Sequence, residues 1–198
     1  MGDAANEVGR LTINVELVKK VCLVGDPGVG KTSLVRRFVL DVFNDNYIST
    51  IGAKITKKAM VVKVPERDIY VSLTLMIWDV AGQKEYKVFH EMHLKGMEGV
   101  LAVADLTRRN TFDSLKGAID LAERTGVEIP TVFLLNKCDL AEPSTVELHD
   151  IRTLASQLMI PVLATSAKTG LNVELAFSRL AKMMVDAWVE KKYSAEEK

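Results

Sequence analysis

Short apolar runs alternate along this chain with stretches whose apolar residues recur every third or fourth position. Val18–Val24, Gly99–Asp105, Thr131–Leu135 and Pro161–Thr165 read as strands. Two longer extended segments, roughly 52 to 64 and 69 to 79, flank Pro65-Glu66-Arg67-Asp68, turn chemistry that closes an antiparallel hairpin. Helical patterns fall between the strands. One runs from about Lys31 to Leu40, and a second presents Phe112, Leu115, Ile119 and Ala122 and stops near Gly126. A third puts Leu148, Ile151, Ala155 and Leu158 behind a Ser144/Glu147 capping box, and a last one aligns Val173, Phe177, Leu180, Met184 and Trp188. Strands alternating with helices predict an α/β fold: a six-stranded, mostly parallel sheet with one antiparallel strand and about five helices on both faces. Residues 41 to 50 show no period and carry Asp41, Asn44, Asp45, Asn46 and Ser49, so a surface loop is expected there.

Composition keeps this picture and narrows the function. The 198 residues suit one domain, drawn at 17–190 between an N-terminal extension, 1–16, and a short charged tail, 191–198. Lys and Arg number 26 against 26 Asp and Glu, so no global field gathers nucleic acid, polyphosphate or anionic lipid, and any anion site has to be local. Arg36-Arg37 and Arg108-Arg109 are isolated pairs, insufficient for a nucleic-acid footprint, and no nucleic-acid partner is expected. Cys22 and Cys138 lack metal-ligand spacing and point to a reducing, cytoplasmic setting. His90, Glu91 and His93 lack HExxH spacing and read as a solvated, partner-facing helix surface, while the methionines read as core or groove filler. No apolar run reaches the length of a membrane span, and the amino terminus lacks the regions of a signal peptide. Asn6 stands where myristoylation of Gly2 needs Ser or Thr, and residues 193–198 hold no Cys to prenylate, so no lipid anchor is expected.

Chemistry enters with two motifs. Gly25-Asp26-Pro27-Gly28-Val29-Gly30-Lys31-Thr32 lies between the first strand and the first helix, the context a phosphate loop requires. In such a loop the backbone N–H groups and the helix amino end face the phosphates, Lys31 bridges the β and γ phosphates, and the Thr32 hydroxyl ligates Mg²⁺. The nucleotide contacts expected here run from Gly25 through Ser33. Asn136-Lys137-Cys138-Asp139 follows a buried strand and so stands at the carboxyl edge of the sheet, where open α/β sheets bind ligands. The Asp139 carboxylate can accept from guanine N1–H and N2–H₂ together; adenine offers neither donor and would leave it unpaired. Lys137 would lay its stem along the base and Asn136 would brace neighbouring loops. Ser166-Ala167-Lys168, after the last strand, can add a backbone N–H to guanine O6. Together the motifs specify GTP or GDP.

With these residues, and with Phe43–Gly52 and Trp78-Asp79-Val80-Ala81-Gly82-Gln83, the chain resembles the Ras-like small GTPases, most closely the Rab-like branch, from about residue 18 to residue 190. The resemblance implies a P-loop NTPase G domain with Mg²⁺ as cofactor and GTP and GDP as substrate and product. It implies catalytic roles for Lys31, Thr50 and Gln83, the last orienting the attacking water. Thr32, Thr50 and Asp79 would form the metal site, Asp79 through a bound water. Phe43 would pack edge-on against guanine, and the Gly82 N–H would reach the γ phosphate. Losing that phosphate would release loop 41 to 52 and the segment from about 80 to 95, a switch that partners read. Protein effectors, an activating protein and an exchange factor are implied as partners, with a monomer as the family default.

Pro27 replaces Gly or Ser, Val80 replaces Thr and Lys84 replaces Glu, and Ala53, Lys54 and Ile55 after the first switch also depart from the Rab-like pattern. There is no Arg from Val39 to Glu66, so the first switch cannot supply an arginine finger in cis, and slow intrinsic turnover is expected. The leading expectation is a hydrolysing switch, favoured by Gln83 and Thr50. The alternative is a non-hydrolysing guanine-nucleotide-binding module with a structural or scaffolding role, in which Pro27 and the altered second switch disable turnover. Asp139 argues against an ATPase.

Overall fold

Gly99–Asp105 (β4) and Thr131–Asn136 (β5) are buried at every position, which marks strands covered on both faces. They form the middle of a sheet seen in a computed structural model that describes residues 13–44, 50, 52–80, 95–112, 129–140, 156 and 160–194. The other strands are β1 (Ile13–Val24), β2 (Ala53–Val64), β3 (Ile69–Val80) and β6 (Val162–Ala164), and the sheet order is β2-β3-β1-β4-β5-β6. Only β2 runs antiparallel, pairing with β3 from Ala53↔Val80 to Val64↔Ile69. Every other pairing is parallel. The six strands and the single antiparallel edge match the expected fold class.

β2 carries Lys54, Lys57, Lys58 and Lys63 and alternates in exposure, as suits an edge strand. The hairpin turn, Pro65–Arg67, is a single 3₁₀ turn closed by Asp68 in the left-handed region, φ 49°, with its N–H donated to the Pro65 carbonyl at 3.2 Å. Asp accepts that conformation more readily than most residues.

β1 begins at Ile13, earlier than the expected Val18. Its first half is a half-buried strand: Val15 and Leu17 pack against the core while Val18 is 65% exposed, and the segment is paired to β3 from Ile13↔Tyr70 onward. Such a strand shows only a short apolar alternation, easily read as patternless, and its pairing partner is supplied by the fold. β4 joins β1 only over Val21–Val24.

The period of two sorts the strand residues into two cores. Val21, Leu23, Leu101, Val103, Val132 and Leu134 face the larger one, and Cys22, Val100, Ala102, Ala104, Phe133 and Leu135 face the smaller. Both described α-helices, α1 (Lys31–Leu40) and α2 (Val173–Tyr193), cover the larger core. Phe38 of α1 and Phe177 of α2 stack there with ring centroids 3.9 Å apart. Of the expected face of α2, Val173, Phe177, Leu180 and Met184 are buried and Trp188 is half-buried. The expected helices over 112–126 and 144–158 lie outside the described residues, apart from a helical turn at 110–112 and Ser156. Among the described residues, no helix is long and apolar enough to cross a membrane.

Candidate functional site

The parallel strands β1, β4 and β5 deliver their carboxyl ends to one edge of the sheet, and the residues singled out by sequence gather there. β1 ends at Val24 and the chain turns through Gly25 (φ 141°), Gly28 (φ 74°) and Gly30 (φ 102°) before α1 starts at Lys31. Two of these glycines are also required for room. A Cβ on Gly25 would run into the Val103 carbonyl of β4, and one on Gly30 into the Asn136 amide of β5. The loop is therefore pressed against the neighbouring strands. α1 opens with no side-chain cap and no acidic residue in its first turn, so its positive end is left for an anion.

Lys31 is 6% exposed, and its Nζ donates to the carbonyls of Gly25 at 2.7 Å and Asp26 at 3.0 Å. Burial lowers its pKa to about 8, against the upward pull of Asp79 and Asp26, with Arg108 adding to the lowering. Val29 is fully buried, Ser33 is half-buried in the first turn of α1, and Pro27 is exposed.

Beside the loop stands a cluster of oxygens drawn from three segments. The Thr32 hydroxyl of α1 donates to Asp79 Oδ2 of β3 and lies 2.8 Å from the Thr50 hydroxyl. Asp79 is 2% exposed, and its Oδ1 is a buried oxygen without a hydrogen-bond partner among the described residues. Burial raises the Asp79 pKa, opposed by the Thr32 bond and by Lys31, Lys54 and Arg36. A carboxylate oxygen buried without a donor is costly, and a hydrated hard cation beside the two hydroxyls would fit that oxygen.

The other end of the site is built on Asn136, 1% exposed at the end of β5. Its Nδ2 donates to the Val29 carbonyl at 2.8 Å, and its Oδ1 accepts from the Ala167 N–H at 3.2 Å and the Thr165 hydroxyl at 3.4 Å. One amide thus ties the glycine loop to the segment after β6. Ser166 is fully buried; its N–H donates to Leu171 and its hydroxyl accepts the Thr169 N–H at 3.0 Å. Lys137 holds a left-handed conformation, φ 65°, and its Nζ pairs with Asp105 Oδ2 at 2.7 Å. Asp139 is exposed. Phe43 sits half-buried against the larger core. Gly82 and Gln83 lie outside the described residues, as do His90, Glu91 and His93.

Two arginines that read as stray basic pairs are structural members of this edge. Arg37 donates through Nε to the Ala167 carbonyl at 2.9 Å and through Nη2 to that of Lys168 at 2.6 Å, tying α1 to the loop after β6. Arg108 donates to Asp105 Oδ2 and to the Pro27 carbonyl, each at 2.9 Å. Asp105 itself is the residue that motif reading missed. The signal present was an acidic residue closing a wholly apolar strand, followed by Thr107, whose N–H and hydroxyl both reach Asp105 Oδ1, at 3.0 and 2.6 Å. Burial works to raise the Asp105 pKa, but the bonds from Lys137, Thr107 and Arg108 outweigh it and hold the carboxyl below its ordinary value.

The Ras family model matches residues 20–186, which takes in the second half of β1, all of β2 to β6 and the first two thirds of α2. The chain belongs to the Ras family. Its relatives in that family include Ras-related protein Rab-8 of Diplobatis ommata, 38% identical over 164 residues that make up 82% of this chain and 75% of the relative. Ras-related protein RIC1 of Oryza sativa subsp. japonica is 37% identical over 163 residues, 82% of this chain and 78% of its own. Ras-related protein Rab-13 of Rattus norvegicus is 36% identical over 164 residues, again 82% and 78%. A Ras-family chain with these relatives is a small GTPase of the Rab-like kind, and the sheet-edge cluster is the part of it with the chemistry for such a role.

Proposed function

We propose that this small GTPase is a Mg²⁺-dependent guanine-nucleotide switch that hydrolyses GTP slowly and changes partner binding as it does so. The observation that carries the reading is the cluster of Thr32, Thr50 and Asp79, whose Oδ1 has no hydrogen-bond partner among the described residues, beside a glycine loop that opens an uncapped helix. Those hard oxygens fit Mg²⁺: the two hydroxyls as direct ligands and Asp79 as the carboxylate that holds its water. Bound there, Mg²⁺ would neutralise charge on the phosphate oxygens.

The chain's own residues do the rest. The N–H groups from Gly25 to Ser33 cradle the phosphates, and the Lys31 ammonium, drawn inside the loop by its carbonyls, moves its charge onto the β and γ phosphates. Asp139, exposed at the base end, accepts the two guanine donors, and Asn136 keeps the base and phosphate loops in one frame. Phe43 closes over the base, the segment from Ser166 to Lys168 supplies an N–H to O6, and Gln83 orients the water for in-line attack while Gly82 meets the γ phosphate. Thr50 belongs to loop 41 to 52, and its hydroxyl lies 2.8 Å from that of Thr32 at the edge of the phosphate site. Departure of the γ phosphate therefore frees that loop, and effectors, an exchange factor and an activating protein that brings its own arginine would read or drive the change.

Single-turnover hydrolysis of preloaded GTP with Mg²⁺, with Gln83→Leu and Asp139→Asn alongside, tests this. Slow turnover that falls further in Gln83→Leu, and guanine binding that weakens in Asp139→Asn with a gain for xanthine, are expected. GTP bound without turnover in either wild type or Gln83→Leu would leave the non-hydrolysing binding module or an enzyme wholly dependent on a partner. No discrimination between GTP and ATP would refute the base assignment.

A further inference from the structure

Neither the phosphate motif nor the base motif contains Arg108, yet its guanidinium connects the loop of one to a residue bonded to the other. Nε holds Asp105 Oδ2 and Nη2 holds the Pro27 carbonyl oxygen, both at 2.9 Å. Asp105 is a firm anchor, 1% exposed and gripped by Thr107 on one oxygen and by Lys137 at 2.7 Å on the other. A planar fork presents its donors in fixed directions and so holds both acceptors in one geometry; the rotatable donors of an ammonium on a flexible stem impose no such direction.

What the fork holds matters because of Pro27. Proline has no N–H, so the carbonyl is its only backbone polar group. The peptide between Pro27 and Gly28 is trans, and in a trans peptide the C=O and the following N–H point to opposite sides of one rigid plane. Drawing the Pro27 oxygen toward Arg108 therefore turns the Gly28 N–H away from Arg108. Gly28 itself sits at φ 74°.

We propose that Arg108 is a positioning residue for the bound nucleotide: by holding the Pro27 carbonyl it aims the Gly28 N–H at the phosphates. This inference rests on the guanine-nucleotide reading above. It assigns a role to a side chain outside the motifs.

The test is the release rate of fluorescent GDP from the full chain with Mg²⁺, for wild type, Arg108→Ala and Arg108→Lys, together with guanosine affinity by competition and ³¹P NMR of bound GDP. Arg108→Ala should release GDP about tenfold faster, the loss expected for one charge-assisted hydrogen bond. Its guanosine affinity should stay within about twofold, because that ligand carries no phosphate for Gly28 to meet. The β-phosphate resonance should shift. Arg108→Lys should behave like the alanine variant, since a shorter ammonium with rotatable donors does not fix the direction of the Pro27 carbonyl. Unchanged GDP release, an equal loss for guanosine and GDP, or full rescue by lysine would each overturn the proposal. A wild-type chain that binds no GDP would instead refute the nucleotide reading itself.

Discussion

At the scale of single residues, Lys31 shows how far the fold bends ordinary chemistry. Burial lowers its pKa to about 8 from the usual 10.5. Between those values the unfolded chain holds more proton than the folded one, so stability attributable to Lys31 rises with pH through that window and the cost of its buried charge is present below it. Phosphate binding needs the charged form and would restore it. GDP affinity should therefore fall as pH rises above about 8, and binding at about pH 9 should take up a proton. Calorimetry in two buffers of different ionisation heat measures the uptake; Lys31→Met, which cannot titrate, should abolish it. Equal binding heats in the two buffers for wild type would show that Lys31 stays charged. Asp105 is set the opposite way. Its carboxyl is held below the ordinary value, so its contribution is present at neutral pH and lost only as acid reaches that lower value.

At the scale of elements, the glycine loop and the strands it touches behave as one piece. Gly25 (φ 141°) would bring a Cβ against the Val103 carbonyl, a backbone atom of the central strand that cannot move aside. Gly96 (φ 72°) shares the positive φ but has nothing within 4 Å of such a Cβ. Gly96→Ala should thus cost about 1 kcal/mol, the conformational penalty alone. Gly25→Ala should cost about 3 kcal/mol or more, because strain and a backbone clash combine. Urea unfolding of both variants checks the difference, and similar midpoints would mean that the loop can back away from β4. The strand and helix patterns that matched best, β4, β5, α1 and α2, are those whose burial repeats with a regular period. β1 was read short because its first half is held by β3 rather than by its own apolar run. β6 was read longer than Val162–Ala164 because Pro161 and Thr165, which flank it, still bond to β5: the Pro161 carbonyl accepts from the Phe133 N–H, and the Thr165 N–H donates to the Leu135 carbonyl.

At the scale of the whole molecule, the β2–β3 hairpin reaches from the site to the far end of α2. One end pairs Ala53 with Val80, next to the segments that hold Thr50 and Gln83. At the other, the Arg67 guanidinium lies 3.8 Å over the Tyr193 ring, while Lys63 lies 5.2 Å from the Tyr70 ring. An arginine over an aromatic face at the surface is worth about 0.5–1 kcal/mol. Tyr193→Ala should therefore lower stability only slightly, yet speed hydrogen exchange at 66–68 while leaving β4 and β5 protected. Uniform exchange through the sheet would show that the clasp does not hold the hairpin tip locally.

The sequence by itself determined what is local or periodic: the glycine loop and its helix start, the base-reading loop after a buried strand, the hairpin turn and the apolar face of α2. Contiguous residues build each of these, so spacing alone reveals them, and family membership follows from the same runs. Tertiary structure alone decided which side chains join those pieces. Arg37 meets its carbonyl 130 residues away, Arg108 meets Pro27 81 residues away, and Thr32 meets Asp79 47 residues away. Asp105 acquires its role only when Lys137 and Arg108 converge on it. The physical reason is that hydrogen bonds and ion pairs depend on distance in space, and the parallel crossovers that bring distant strand ends to one edge leave no period in the chain between them.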